Sequence, residues 1–430
     1  MRTGVLVALA LASGCDRLFA LEHIDRPPPD ARDGGAGSAP IDLAATGGNH
    51  TCAIRGGAVR CWGSGVAGRL GYGNTASIGD NETPASAGDV DVGGAAVQIR
   101  AGGEHTCVLD DAFKVRCWGL ASGGRLGYGD GLHIGDDEPP SMVGAVNIGV
   151  NVTELAVGDA HTCVIIVTGG VRCWGVGAMG RLGYSSTENL GDNELPRNLT
   201  EVPLGATPIV DIVAGGAHTC ALTALGEVRC WGSGISGQLG YGSTMDVGDD
   251  EVPSFFNPVN VGGNVTQLAA GTSHTCALLD TGGVRCWGAG GAGRLGYDSL
   301  TNIGDTEVPA SAGDVDIGRT AIEIAAGGTH TCAVLDDHTL RCWGGNQYGQ
   351  LGHGHTEPIG DDEAPSERSI VPVGEPVGHV WAGRDHTCVQ LERGALRCWG
   401  RNDEGRLGYG HTMTLGDTEP AASVGDVPAF

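Results

Sequence analysis

Lysine is almost missing from this chain. Lys114 is the only one in 430 residues, and 25 Lys and Arg together stand against 51 Asp and Glu, a formal charge of −26. A surface that neutralises phosphates needs clustered cations, so this balance excludes a nucleic-acid partner. Aromatic residues are also sparse, at 5%. Glycines number 78, a composition that favours short strands and tight turns over helices. The apolar run near the N-terminus, residues 5–12, is too short to cross a bilayer.

That run nevertheless has a recognisable layout: Arg2 precedes it, and Ser13 and Gly14 lead into Cys15, as in an export signal. Leu11-Ala12-Ser13-Gly14-Cys15 resembles a bacterial lipobox, with Ala12 where a bulky aliphatic is usual. The resemblance implies that residues 1–15 are a lipoprotein signal peptide and that Cys15 is acylated. An ordinary secretory signal or a short N-terminal helix is the alternative. Residues 16–40, with Pro27-Pro28-Pro29 and several glycines, have too little apolar surface to offset the entropy of ordering, and are expected to form a disordered tether.

From residue 41 to 430 one unit repeats. His-Thr-Cys starts at His50, His105, His161, His218, His274, His330 and His386, a period of 55 to 57 residues. Each unit runs through an alternating apolar segment, His-Thr-Cys, a turn, Val/Leu-Arg-Cys-Trp-Gly, a Gly-rich loop, Arg/Gln-Leu-Gly-Tyr/His and Gly-Asp-x-Glu-x-Pro. Period-two alternation bounded by glycines predicts short antiparallel strands, about four per unit. Seven such units predict an all-β, seven-bladed β-propeller, because closure of the ring removes the exposed sheet edges.

Gly-x-x-His-Thr, followed by Trp-Gly and by Gly349-Gln350-Leu351-Gly352, resembles the regulator of chromosome condensation repeat family. The resemblance spans residues 41–430 and implies the same propeller fold. Similar propellers act through protein contacts, including exchange on a small GTPase and inhibition of β-lactamase. Paired cysteines and an acidic loop are additions to the generic repeat.

Fifteen cysteines divide into Cys15 and one pair per unit: Cys52 with Cys61, Cys107 with Cys117, Cys163 with Cys173, Cys220 with Cys230, Cys276 with Cys286, Cys332 with Cys342, and Cys388 with Cys398. Opposing Cys52 with Cys61 leaves Gly56-Gly57 as a two-residue hairpin turn. Opposing Cys107 with Cys117 leaves a three-residue loop, so each pair is expected to form a disulfide across its hairpin. Zinc held by His and Cys of the same unit is the competing reading. The histidine is expected to hydrogen-bond the adjacent glycine turn, and the seven repeated tryptophans to pack between blades rather than form a ligand platform.

Two carboxylates recur two residues apart: Asp80 and Glu82, Asp136 and Glu138, Asp192 and Glu194, Asp249 and Glu251, Asp305 and Glu307, Asp361 and Glu363, Asp417 and Glu419. Such loops can ligate calcium, but a clamp to the repeated arginines is the expected role, with calcium the alternative. No other cofactor is implied. Residues that break the repeat, Tyr348, His353, His355, Trp381 and His411, make the side of the sixth and seventh units the candidate specific surface.

Catalysis needs an asymmetric set of groups, and nearly every polar residue here recurs sevenfold, so the chain is expected not to be an enzyme. The function implied is a lipid-anchored module at the envelope or cell surface. It would bind a protein or surface ligand and touch the membrane through its anchor alone. A calcium-dependent adhesin or envelope structural component, and a propeller enzyme acting on polysaccharide or peptide, are the alternatives.

Overall fold

The computed structural model describes residues 40–430. The expected signal peptide, Cys15 and all of the tether but its last residue lie outside the described residues. Within them the alternating segments pair into seven antiparallel sheets. The first blade consists of Leu43–Thr46, His50–Arg55 and Ala58–Gly63, in spatial order inner, middle and outer. The inner strands of the others are Ala96–Ala101, Val152–Val157, Ile209–Ala214, Val265–Ala270, Ala321–Ala326 and Val377–Ala382.

Each ladder therefore has three strands where about four were expected. The fourth segment is present as a single backbone bond on the outer edge, such as Val90 N–H to the Val59 carbonyl (2.8 Å) or Val427 N–H to that of Leu396 (2.8 Å). It cannot extend, because the chain immediately folds into a tight turn: in four blades the residue two further on donates back to it, as Ile148 does to Val146 (3.0 Å).

The cysteine register is as predicted. Cys52 faces Cys61, Ile54 faces Val59, and Gly56-Gly57 make the turn. In the second blade Asp110 N–H bonds the Lys114 carbonyl (2.9 Å) around a three-residue loop. Every expected pair is a disulfide within its blade: Cys52 to Cys61, Cys107 to Cys117, Cys163 to Cys173, Cys220 to Cys230, Cys276 to Cys286, Cys332 to Cys342, and Cys388 to Cys398. Their Cα atoms lie 4.0–4.1 Å apart.

The six longer hairpins need a left-handed residue; glycine supplies it in four, while Phe113 and His338 adopt φ 61°. The ring closes between first and last blades through Ile41 N–H to the Gly394 carbonyl (3.0 Å) and Arg384 N–H to that of Gly47 (3.2 Å).

Candidate functional site

The repeated histidines form a belt around the channel. Each imidazole Nε2 bonds the hydroxyl of the threonine one blade on: His50 to Thr106 (2.8 Å), His105 to Thr162 (2.9 Å), His161 to Thr219 (2.8 Å), His218 to Thr275 (2.9 Å), His274 to Thr331 (3.0 Å) and His330 to Thr387 (2.9 Å). His386 reaches Thr51 (2.9 Å) and completes the circle. Each hydroxyl donates its one hydrogen to a loop carbonyl, as Thr51 does to Arg406 (2.9 Å), so Nε2–H is the donor to threonine. Burial, then nearby arginines, lower His50 to about 3 and His218 and His330 to about 4, so the belt is neutral.

One expectation changes here. The histidine does not bond its glycine turn; it packs against it, so closely that a Cβ at Gly158 would lie 2.4 Å from Cε1 of His161. Its hydrogen bond goes to the neighbouring blade. The competing zinc reading loses its thiolate ligands, because a disulfide occupies each of these cysteines.

The tryptophans are wholly buried between blades, and Trp118 Nε1 donates to the Arg69 carbonyl of the preceding blade (2.9 Å). None of the seven is exposed as a platform. The loop arginines point inward: Arg125, Arg181 and Arg406 donate to the carbonyls of Asp159, Gly216 and Gly48 in the turns at the channel mouth, at 3.0–3.2 Å.

The arginine clamp on the acidic loops is a further correction. Arg60, Arg285 and Arg397 pair instead with Asp89, Asp314 and Asp426 at the fourth segment (2.7, 2.7 and 2.9 Å). Among the described residues one acidic-loop carboxylate meets a guanidinium, Glu363 with Arg368 (2.7 Å). The other loop glutamates except Glu138 close their own turns. Glu82, Glu194, Glu251, Glu307 and Glu419 accept from the N–H groups of Gly79, Gly191, Gly248, Gly304 and Gly416, three residues before each, at 2.8–3.4 Å.

In three blades the carboxylates of Asp136-Asp137-Glu138, Asp249-Asp250-Glu251 and Asp361-Asp362-Glu363 lie within 4.8 Å of one another, as cation ligands would. Among the described residues the loops of Asp80, Asp192, Asp305 and Asp417 form no such group. Their middle residue is Asn81, Asn193, Thr306 or Thr418, so the third carboxylate is missing. Burial, and a hydrogen bond that each donates when protonated to the neighbouring aspartate, push Glu138 and Glu251 up to about 7.

Four of the residues that break the repeat lie on the outer loops of blades six and seven, which meet each other. Tyr348 lies under Arg401 (4.9 Å), His353 stacks on His355 (5.6 Å), and His411 stacks on Tyr409 (6.0 Å). Trp381 is elsewhere, on the channel wall beside His379 (5.9 Å).

That wall is where the sevenfold pattern fails. Seven residues before each repeated histidine stand Leu43, Gln98, Glu154, Asp211, Gln267, Glu323 and His379; five before stand Ala45, Arg100, Ala156, Val213, Ala269, Ala325 and Trp381. All but Gln98 line a chamber of ≈ 520 Å³. A bulge in the inner strand of blades two to seven, for example between Ile209 and Asp211, immediately precedes the first of these levels. Several of these side chains hold the next blade: Asp211 accepts from Leu268 N–H (3.2 Å) and Glu323 from Val380 N–H (3.1 Å).

The remaining interactions in the chamber are uneven. Glu323 also bonds His379 Nδ1 (2.8 Å), which raises that histidine. Arg100 stands 3.9 Å from Glu154. Burial and then the charge of Asp211 push Glu154 up to about 8, and burial raises Asp211 as well. Beyond the chamber the glycine turns narrow the channel to a collar of ≈ 120 Å³, spanned by Arg384 and Asp159 from blades seven and three (3.1 Å).

A closed ring of seven three-stranded sheets, joined blade to blade by the histidine belt, defines a seven-bladed β-propeller. The chain belongs to the RCC1-like domain family, which matches residues 114–429. It is 29% identical over 373 residues to the ultraviolet-B receptor UVR8 of Arabidopsis thaliana, covering 86% of this chain and 79% of the receptor. It is 30% identical over 299 residues to the E3 ubiquitin-protein ligase HERC2 of Homo sapiens, covering 69% of this chain but 6% of the ligase. Yeast RCC1 (Prp20), solved bound to Kap60, superposes with a TM-score of 0.67 at 19% identity, over 90% of this chain and 84% of that one, a likeness of fold.

Proposed function

We propose that this propeller is an exported, lipid-anchored protein-binding module whose partner docks on the loop face. The observation that carries the binding role is a set of exposed apolar tips. Val66, Leu132, Met179, Ile235, Met245, Leu300 and Met413 all occur in the loops between an outer strand and its acidic turn, and all are exposed. Single exposed apolar residues are ordinary, but recurrence at one topological position of a ring gathers them on one end of the disc. Relatives support the same reading: one is a receptor, and yeast RCC1 was solved with a bound protein.

Export is supported by the cysteines. Every cysteine among the described residues is in a disulfide, and such bonds persist in oxidising compartments. The lipobox-like sequence at Cys15 supplies the anchor. Replacing Ile235, Met245 and Met413 by serine in the full chain, followed by cross-linking in cells, should remove the partner band while leaving the melting temperature unchanged. An identical cross-linking pattern would contradict the docking face. Cys15→Ser should release the protein from membranes, and unchanged association would contradict the anchor.

A calcium-dependent form of this reading rests on the three Asp-Asp-Glu clusters. Calcium there would displace the protons that Glu138 and Glu251 hold near neutral pH and would stiffen the same face.

A further inference from the structure

The chamber inside the ring has features that neither the scaffold nor the loop face uses. A channel that served only closure would be lined alike in all seven blades, as the histidine belt is. Instead the lining carries Arg100, Glu154, Asp211, Glu323, His379 and Trp381, drawn from five different blades. The four alanines on the level of Arg100 and Trp381 leave the space that those two residues border.

Charge pairing in this space is incomplete. Glu323 is matched by His379 (2.8 Å). Arg100 approaches Glu154 only to 3.9 Å, and Asp211, on the neighbouring blade, has a backbone N–H as its partner. Two adjoining carboxylates thus share one distant guanidinium, and they respond by holding protons: Glu154 is raised to about 8 and Asp211 is raised too. In a ring of seven, blades three and four lie opposite blade seven, which carries Trp381. The wall short of positive charge therefore faces an aromatic wall across ≈ 520 Å³.

We infer that the chamber is a binding site for a small organic ammonium ion, its charged end between Glu154 and Asp211 and its carbon chain directed toward Trp381. The charged end takes the place of the protons on the carboxyls, forming charge-assisted hydrogen bonds with both. The indole face attracts the cation's methylenes and its residual charge. The Arg384–Asp159 pair across the collar leaves the wider end as the way in. Anions are disfavoured, because three carboxylates line the same space.

The test is calorimetric titration of the full chain with 1,4-diaminobutane, with sodium chloride at matched ionic strength and sodium acetate as controls, and tryptophan fluorescence recorded in parallel. The diamine should give saturable heat and a fluorescence change; the controls should give neither. The seven repeated tryptophans are fully buried, so the optical signal belongs to Trp381, and W381F should remove it. D211N should weaken binding about tenfold. E154Q serves if D211N fails to fold. Unmutated protein gives an independent reading: binding at pH 7 should release protons, so the heat should vary with the ionisation enthalpy of the buffer. No saturable binding, binding without proton release, or affinity indifferent to both substitutions would overturn the inference.

Discussion

Nε2 of His386 hydrogen-bonds Oγ1 of Thr51 at 2.9 Å, joining residues 335 positions apart and making the last blade equivalent to the first. Thr51 passes its own hydrogen to the Arg406 carbonyl (2.9 Å), so one hydroxyl satisfies two buried groups from blade seven and its loop.

Thr51→Val keeps the shape and removes the hydroxyl, leaving a buried N–H and a buried carbonyl without this partner. It should cost about 1–3 kcal/mol. Thr219→Val, inside the ring, makes the same change between blades three and four. Urea unfolding should give similar losses for both. A near-neutral Thr51→Val beside a costly Thr219→Val would mean that the seam is not a true blade interface.

Neutral histidines in the belt set the sign of the acid response. Their folded pKa values lie below the unfolded value of about 6.5, so the unfolded chain takes up protons first as pH falls. Their contribution is complete above pH 6.5 and declines steadily below it. Glu154, Asp211, Glu138 and Glu251 work in the opposite direction, since a raised pKa means that the folded state keeps a proton the unfolded state loses. With seven histidines against four carboxyls, thermal melts at pH 7.5 and 5.5 should show lower stability at the acid value. Equal or higher stability at pH 5.5 would contradict the belt's assignment.

Much of this belt is legible in the sequence, and part is not. The period of His-Thr-Cys and the cysteine arithmetic disclose the number of blades and the hairpin register, because both are local patterns. The partner of each histidine lies one blade away, on a face that no local pattern reveals. The glycine before it reads as a hydrogen-bonding turn and is instead the space in which the imidazole packs. Four expected strands become three and a single bond because a tight turn follows at once, which alternation alone does not disclose. The arginine clamp fails for a related reason: Arg60 and Asp89 are close only after the fourth segment folds back. Glu82, Glu307 and Glu419 need no guanidinium, since a glycine N–H three residues earlier already meets each of them.

The chamber is legible through a different alignment. Departures within the repeated motifs point to Trp381 and to Tyr348, His353, His355 and His411, the last four on the outer loops of blades six and seven. Counting back seven and five places from each histidine, through strands that look merely variable, isolates Glu154, Asp211, Glu323, His379, Arg100 and Trp381. Trp381 stands out because tryptophan is rare outside the repeat; the others are common residues whose meaning comes from sharing a wall.

Removing one disulfide without leaving a free thiol, through Cys276→Ala with Cys286→Ala, should lower stability by roughly 2–3 kcal/mol, the entropy of a closed loop of about ten residues. The protein should remain folded, since six equivalent staples persist. Chemical denaturation with circular dichroism would measure it, and collapse of the whole ring would show that the blades are not independent units of stabilisation.

Calcium binding at the acidic clusters should raise the melting temperature in a concentration-dependent way. Asp137→Asn, Asp250→Asn and Asp362→Asn combined should abolish the rise, with little effect on stability in chelator. No shift with calcium in the unmutated protein would limit these clusters to closing their own turns.

The most direct test is peptide mapping by mass spectrometry on full-length protein recovered from the cell envelope without reductant. The expected map has seven disulfides, each within one blade from Cys52–Cys61 to Cys388–Cys398, and an acyl group on Cys15 as the new N-terminus. Free thiols, links between blades, or an unmodified Cys15 would contradict it.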